Sequence, residues 1–237
     1  MIGLICALDV EVQGIKDLME NQQIFKKAAM EFYFGTINDV EVVCAECGVG
    51  KVNAAMSTQV MIDRFNPELI INSGIAGALS RDLSVGDIII ANDCVQHDID
   101  GTEMGDPPGM IWYHDEKRID IPADRLLADL LEKACAVLED TKVLRGRVAT
   151  GDAFLAKRHR RQKVKDMFGA LACEMEGGAV GQVCYRNGVP FGVVRCISDD
   201  FEEYRFVDYE KFREEAAAKS IKVIEEVIRL RKMGVKF

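Results

Sequence analysis

Three apolar runs in this sequence end in carboxylates. Val193-Val194-Arg195-Cys196-Ile197 closes on Ser198-Asp199-Asp200. Ile2-Gly3-Leu4-Ile5-Cys6-Ala7 leads to Asp9 and Glu11, and Ala170-Leu171-Ala172-Cys173 leads to Glu174-Met175-Glu176. Each run reads as a buried strand. Doubly wound α/β proteins bind ligands outside the carboxyl ends of their parallel strands, so acid/base groups are expected at such ends. Carboxylates and a hydroxyl converging there describe a site that handles protons and a developing positive charge.

The elements that must position these groups follow from the pattern. Strand-like runs occur near 2–7, 40–46, 68–72, 86–95, 143–149, 170–173 and 190–198, and a strand near 30–37 pairs with 40–46 through Asn38-Asp39. Helical patterns cover about 10–20, 51–65, 123–138, 157–167, 176–187 and 208–232, with Asp208 as a candidate N-cap. Strand and helix alternate without a linker or repeat. The expectation is one α/β domain over 1–237, with a mixed, mainly parallel central sheet surrounded by helices. The segment from Asp98 to Asp120 has no clear period but carries Met104, Met110, Ile111, Trp112 and Tyr113. It reads as a loop that closes a pocket or packs on a second subunit.

Composition narrows the class. The chain has 237 residues and a formal net charge of −9, which argues against a nucleic-acid binder. The one basic run, Lys157-Arg158-His159-Arg160-Arg161-Gln162-Lys163, reads first as a solvated helix face and second as an anion or partner patch. No apolar run approaches the roughly 20 residues that span a bilayer, and the amino terminus lacks a signal-peptide layout. The eight cysteines lie mostly within apolar strands, as expected of reduced core residues in a cytoplasmic protein. Cys44 and Cys47 form a C-x-x-C at a strand end, where a three-residue offset sends the two side chains to opposite faces. His97, His114 and His159 have no zinc-site spacing, and no metal or organic cofactor is implied.

Two glycine turns follow strands, Gly48-Val49-Gly50-Lys51 and Asn72-Ser73-Gly74-Ile75-Ala76-Gly77. Neither is a P-loop or a dinucleotide fingerprint. Phe154, after Thr150-Gly151-Asp152, is either core or a stacking surface for a planar ligand. Met175 is either filler or a flexible apolar contact.

The order of these pieces is more specific than any one of them. From end to end the chain carries Ala7-Leu8-Asp9-Val10-Glu11-Val12, Gly48-Val49-Gly50-Lys51-Val52-Asn53-Ala54-Ala55, Ser73-Gly74-Ile75-Ala76-Gly77 and Val85-Gly86-Asp87-Ile88. Thr150-Gly151-Asp152-Ala153-Phe154, Glu174-Met175-Glu176 and Val194-Arg195-Cys196-Ile197-Ser198-Asp199 follow. Together they resemble the 5′-methylthioadenosine/S-adenosylhomocysteine nucleosidases of the purine nucleoside phosphorylase superfamily over nearly the whole chain.

The resemblance implies a nucleoside phosphorylase-like fold, a homodimer, a 5′-thioadenosine substrate and hydrolysis of its N-ribosidic bond, with a place in methionine salvage. It makes Asp199 the acid that protonates adenine N7, supported by Ser198. Burial near other carboxylates is expected to favour the neutral acid that this role needs. Glu11 matches the residue that activates the attacking water, and Glu176 the one that accepts from the ribose hydroxyls and stabilises oxocarbenium-like charge. Arg195 organises the carboxylates and water. Phe154 stacks on adenine, the Leu155 backbone reads the purine edge, and Met175 packs on the ribose. Ala76, Gly77, Glu174 and, by a looser match, Tyr209 complete the substrate-binding set. Ile75 departs from the pattern. The family commonly has a serine there, so the catalytic water is expected to lack one polar partner. Leu8 replaces a frequent methionine, a nearly neutral change, and the Asp98–Asp120 loop leaves the preferred 5′ group open.

The sequence favours hydrolysis over phosphorolysis because Leu8-Asp9-Val10-Glu11 puts acid where a phosphorylase places an arginine for phosphate. A futalosine-type nucleosidase is compatible with Asp199. A non-catalytic nucleoside-binding protein is disfavoured by the presence of both Asp199 and Glu11.

Overall fold

Every residue of β1 (Ile2–Cys6) is buried, which only the centre of a sheet covered on both faces allows. The computed structural model describes residues 1–202 and 206–235, with the backbone alone for 206–211. After β1 come α1 (Asp9–Leu18), the antiparallel strands β2 (Glu20–Lys27), β3 (Met30–Ile37) and β4 (Val40–Glu46), and α2 (Lys51–Phe65). β5 (Leu69–Ala78), β6 (Ile88–Gln96), the short β7 (Ile111–Trp112), β8 (Lys117–Arg118) and β9 (Asp120–Pro122), and α3 (Arg125–Ala134) follow. The chain continues with β10 (Val143–Thr150), α4 (Arg158–Phe168), β11 (Ala172–Glu174), α5 (Gly177–Asn187), β12 (Phe191–Asp199) and α6 (Phe206–Lys232).

The large sheet has the order β11-β10-β6-β12-β5-β1-β4-β3-β2, and β11 also pairs with β5. The five strands β5, β12, β6, β10 and β11 therefore close on one another. β1 pairs in parallel with β4 and β5, and β12 with β5, whereas β12–β6, β5–β11 and the β2–β3–β4 meander are antiparallel. The sheet is mixed, as the alternation implied. One face packs against α1, α3 and α6, which carry Val12, Leu131 and Ile224. The other packs against α2 and α5, through Met61 and Val180.

Cys44 belongs to the first core and Cys47 to the second, so the C-x-x-C pair is divided by the sheet. All eight cysteines are free and buried.

Three features differ from the sequence expectations. β2 was hidden in the tail of the α1 pattern and the gap after it, because Glu-Asn-Gln-Gln-Ile-Phe-Lys-Lys is an exposed edge strand with no buried side to set a period. The Asp98–Asp120 segment, expected as a loop without regular elements, contains two short strands: β7 pairs with β8, Ile111 is buried, and Tyr113 meets Tyr185 of α5 at 5.8 Å. None of its residues lines the principal cleft of its own chain, so it does not close that pocket. Finally, α6 starts at Phe206, which places Asp208 inside the first turn instead of at the cap.

Candidate active site

A cleft lies at the carboxyl ends of β1, β5 and β12, where α/β proteins place their ligands. Its floor is an ion-pair frame. Arg195, in the middle of β12 and 1% exposed, donates through Nη2 to Glu174 Oε2 and to Asn72 Oδ1, and the same nitrogen lies 3.5 Å from Glu176 Oε2. Burial works against this guanidinium's charge, but Glu174, Glu176 and Glu11 outweigh it and hold its pKa above the usual arginine range. Arg195 Nε has no hydrogen-bond partner among the described residues.

Glu174 itself is saturated. Besides Arg195, it accepts from Thr150 Oγ1 and from the N–H groups of Glu176 and Gly177, at 2.9 and 2.7 Å. Its carboxylate thereby ties β10, β11 and the start of α5 together, although it lines the cleft.

Glu11 occupies the first turn of α1 and is buried. Ala7 and Leu8 N–H donate to Oε2, each at 3.0 Å, and Ile75 N–H donates to Oε1 at 3.2 Å. Burial still raises its pKa, against the opposing pull of Arg195 and these backbone donors. The polar contribution at position 75 comes from the main chain, while the side chain packs on the apolar core. Gly74 is required beside it. A Cβ there would stand 2.5 Å from Arg195 Nη1 and 2.6 Å from Glu11 Oε1.

Glu176 precedes α5 and accepts from Gly50 N–H at 2.9 Å. Gly50 has φ of 101°, a backbone conformation that favours glycine, so the Gly48-Val49-Gly50-Lys51 turn serves to aim an amide at this carboxylate. The next residue extends the same staple: Lys51 N–H donates to Asp152 Oδ1, and Lys51 Nζ pairs with Asp98 at 2.6 Å. Burial pushes the Glu176 carboxyl up to about 7, with Arg195 opposing and Glu174 adding to the rise.

At the other end of the cleft Ser198 Oγ donates to Asp199 Oδ1 at 2.8 Å. Adjacent strand residues ordinarily face opposite ways. Here a register shift against β5 between Ile197 and Asp199 lets both line the cleft. The charged group against Asp199 is not a carboxylate, as the sequence reading expected, but the guanidinium of Arg161. This also corrects the reading of the basic run as a solvated face: Arg161 is 1% exposed. The signal was present. Arg161, Val164 and Phe168 repeat at i, i+3 and i+7, the spacing of an inward helix stripe.

Of the remaining candidates, Phe154 is 46% exposed at the mouth, while Leu155, Ala76, Gly77, Ile75 and Met175 line the walls. The side chain of Tyr209 lies outside the described residues.

This arrangement has known counterparts. A family model described as the phosphorylase superfamily matches residues 1–229. The chain belongs to that superfamily. Within the phosphorylase superfamily its relatives are nucleosidases: it is 38% identical over 235 residues to the 5′-methylthioadenosine/S-adenosylhomocysteine nucleosidase of Staphylococcus haemolyticus, covering 97% of this chain and 100% of that protein. It therefore belongs to this nucleosidase family. The Neisseria meningitidis nucleosidase in complex with methylthio-immucillin-A superposes with a TM-score of 0.90 at 29% identity, covering 96% of this chain and 98% of that one. The futalosine hydrolase of Helicobacter pylori superposes with a TM-score of 0.89 at 29% identity, covering 96% and 97%.

Proposed function

We propose that this protein hydrolyses the N-ribosidic bond of 5′-thio-substituted adenosines, 5′-methylthioadenosine and S-adenosylhomocysteine, releasing adenine and the free thioribose. The observation that carries the reading is one cleft with a hydroxyl-supported carboxyl, Asp199, at one end and the caged carboxylates Glu11 and Glu176 at the other. Adenine leaves poorly as an anion, so Asp199 donates a proton to N7 as the C1′–N9 bond breaks. Glu176 faces the cationic ribose and accepts from its hydroxyls, and Glu11 takes the proton of the attacking water. Phe154 covers the adenine face, Leu155 presents its backbone to the purine edge, and Met175 packs on the sugar. Arg195 keeps the carboxylates apart and oriented.

The charge pattern supports water over phosphate as the nucleophile. Among the described residues the cations lining the cleft are Arg161 and Arg195, and each already lies against a carboxyl group, so neither is a free anchor for phosphate. The likeness to a futalosine hydrolase keeps a larger 5′ group as the second reading. The protein acts as a homodimer in this proposal. Val49 in the turn before α2, with Val52 and Met56 on that helix, exposes an apolar stripe that begins at the cleft, with Val52 76% exposed, and a second copy would cover it. Eight reduced cysteines accord with a cytoplasmic enzyme that feeds methionine salvage.

The test is adenine release from 5′-methylthioadenosine with and without phosphate, with the sugar product identified by mass. Phosphate-independent release of free thioribose is expected. A sugar 1-phosphate overturns the hydrolytic reading, and cleavage of futalosine in preference to both thioadenosines selects the second one.

A further inference from the structure

The most deeply embedded cation outside the Arg195 frame is Arg161, and the roles assigned above leave it without a task. It springs from the first turn of α4, where its neighbours Arg158, His159 and Arg160 are exposed. Its side chain turns inward and spends a donor on each of three targets. Nε donates to Leu155 O at 2.6 Å, Nη1 donates to Asp200 O, and Nη2 donates to Asp199 Oδ2. Burying a guanidinium is costly unless its donors are satisfied, and these three contacts use one donor on each nitrogen; its charge is balanced by Asp199 while that group is ionised, before it takes up the proton it delivers. Ser198 holds the other carboxylate oxygen, so Asp199 is gripped at Oδ1 and Oδ2 by different elements. The arginine also links Asp199 to Leu155, the two groups between which a purine edge would lie.

We propose that Arg161 is the positioning residue of the proton-donating carboxyl: it clamps Asp199 and the Leu155 backbone into one unit and stabilises the carboxylate that Asp199 becomes when its proton leaves. The proposal rests on the assignment of Asp199 as the acid. In the step concerned the Asp199 O–H bond breaks, an N7–H bond forms, and the C1′–N9 electron pair departs with adenine. Water closes on C1′ while its proton passes to Glu11. Negative charge thus appears on Asp199 as the bond breaks, and a fixed guanidinium already touching that oxygen stabilises it without reorganisation. Asp199 regains its proton from solvent before the next turnover.

The experiment compares two substrates and one mutant cycle. 5′-Methylthioadenosine needs a proton on its leaving group; 4-nitrophenyl 5-methylthioriboside does not, because nitrophenolate departs as an anion. Arg161→Met is expected to lower kcat for adenine release at least about 100-fold, within the range of general acid catalysis. It should cost the nitrophenyl substrate less than about threefold, and Arg161→Lys should recover at least a tenth of the lost adenine rate. In an Asp199→Asn background the same Met substitution should change the adenine rate less than about threefold, because the two residues act as one. Equal losses on both substrates, losses that multiply in the cycle, or a fully active Arg161→Met protein overturn the proposal. If Arg161→Met does not fold, Arg161→Lys runs through the same cycle with the same criteria. Failure of the wild-type protein to release adenine would instead overturn the function from which the assignment of Asp199 derives.

Discussion

The N–H of Ile75 donates to Glu11 Oε1 at 3.2 Å, and two further amides from the β1–α1 turn hold the other oxygen. Among the described residues the hydrogen bonds to Glu11 all come from the main chain, and the apolar side chain at position 75 costs it none of these bonds. Ile75→Ser should change turnover less than about threefold, whereas Glu11→Gln should lower kcat by about 100-fold or more, the scale of a lost general base. Steady-state kinetics on 5′-methylthioadenosine decide this. A large gain for Ile75→Ser would mean that the side chain, not the amide, limits activation of water.

Asp199→Asn keeps the shape of the proton donor but removes the proton. Turnover should fall by about 100-fold or more, while binding of a non-hydrolysable 5′-thioadenosine analogue stays within about tenfold, or 1.4 kcal/mol. Calorimetric titration beside single-turnover rates separates the two effects. Near-normal turnover would remove Asp199 from the acid role.

Glu176 links the site to stability. Its pKa of about 7 in the folded chain lies above the ordinary glutamate value of 4.5 because burial disfavours its charge. The native state thus binds more protons than the unfolded state between these values, and stability falls as pH rises through that window. Glu11 is shifted in the same direction and adds to the slope. The Glu176 share amounts to roughly 3 kcal/mol between pH 4.5 and pH 8. Urea unfolding of the ligand-free protein should show this decline, and Glu176→Gln should flatten it. An unchanged slope would place the burden on Glu11.

Gly74 lies where a methyl group would collide with both Arg195 and Glu11. Gly74→Ala should lower stability by about 1–3 kcal/mol, the usual cost of overpacking. It should also depress kcat more than KM, because the collision displaces catalytic groups and leaves the walls that touch substrate in place. Equal kcat and a lower melting temperature would show that the collision is absorbed away from the site.

Much of this molecule is legible in its sequence because the relevant forces act locally. β1 is apolar throughout, and β5 and β12 open on apolar runs, which marks central strands. Carboxylates at strand ends point to the end of the sheet where the cleft opens, and the order of motifs along the chain points to the nucleosidase family. β2 escaped notice because an edge strand exposed on both sides carries no periodic burial signal.

Tertiary structure decided which charges meet. Arg161 looks like one more surface cation in a basic run, yet Val164 and Phe168 of the same helix pack in a core with Val95, Ala149 and Cys173, and that turns Arg161 onto Asp199. Glu174 and Glu176 are two residues apart, but one is consumed by Thr150, Arg195 and two amides while the other receives Gly50 across the cleft. The amide of Ile75 reaches Glu11 because β5 runs beside β1. Residue types and periodicity set the inventory of groups and the faces they occupy. Pairings between groups on different elements depend on strand order and register, which no local pattern encodes.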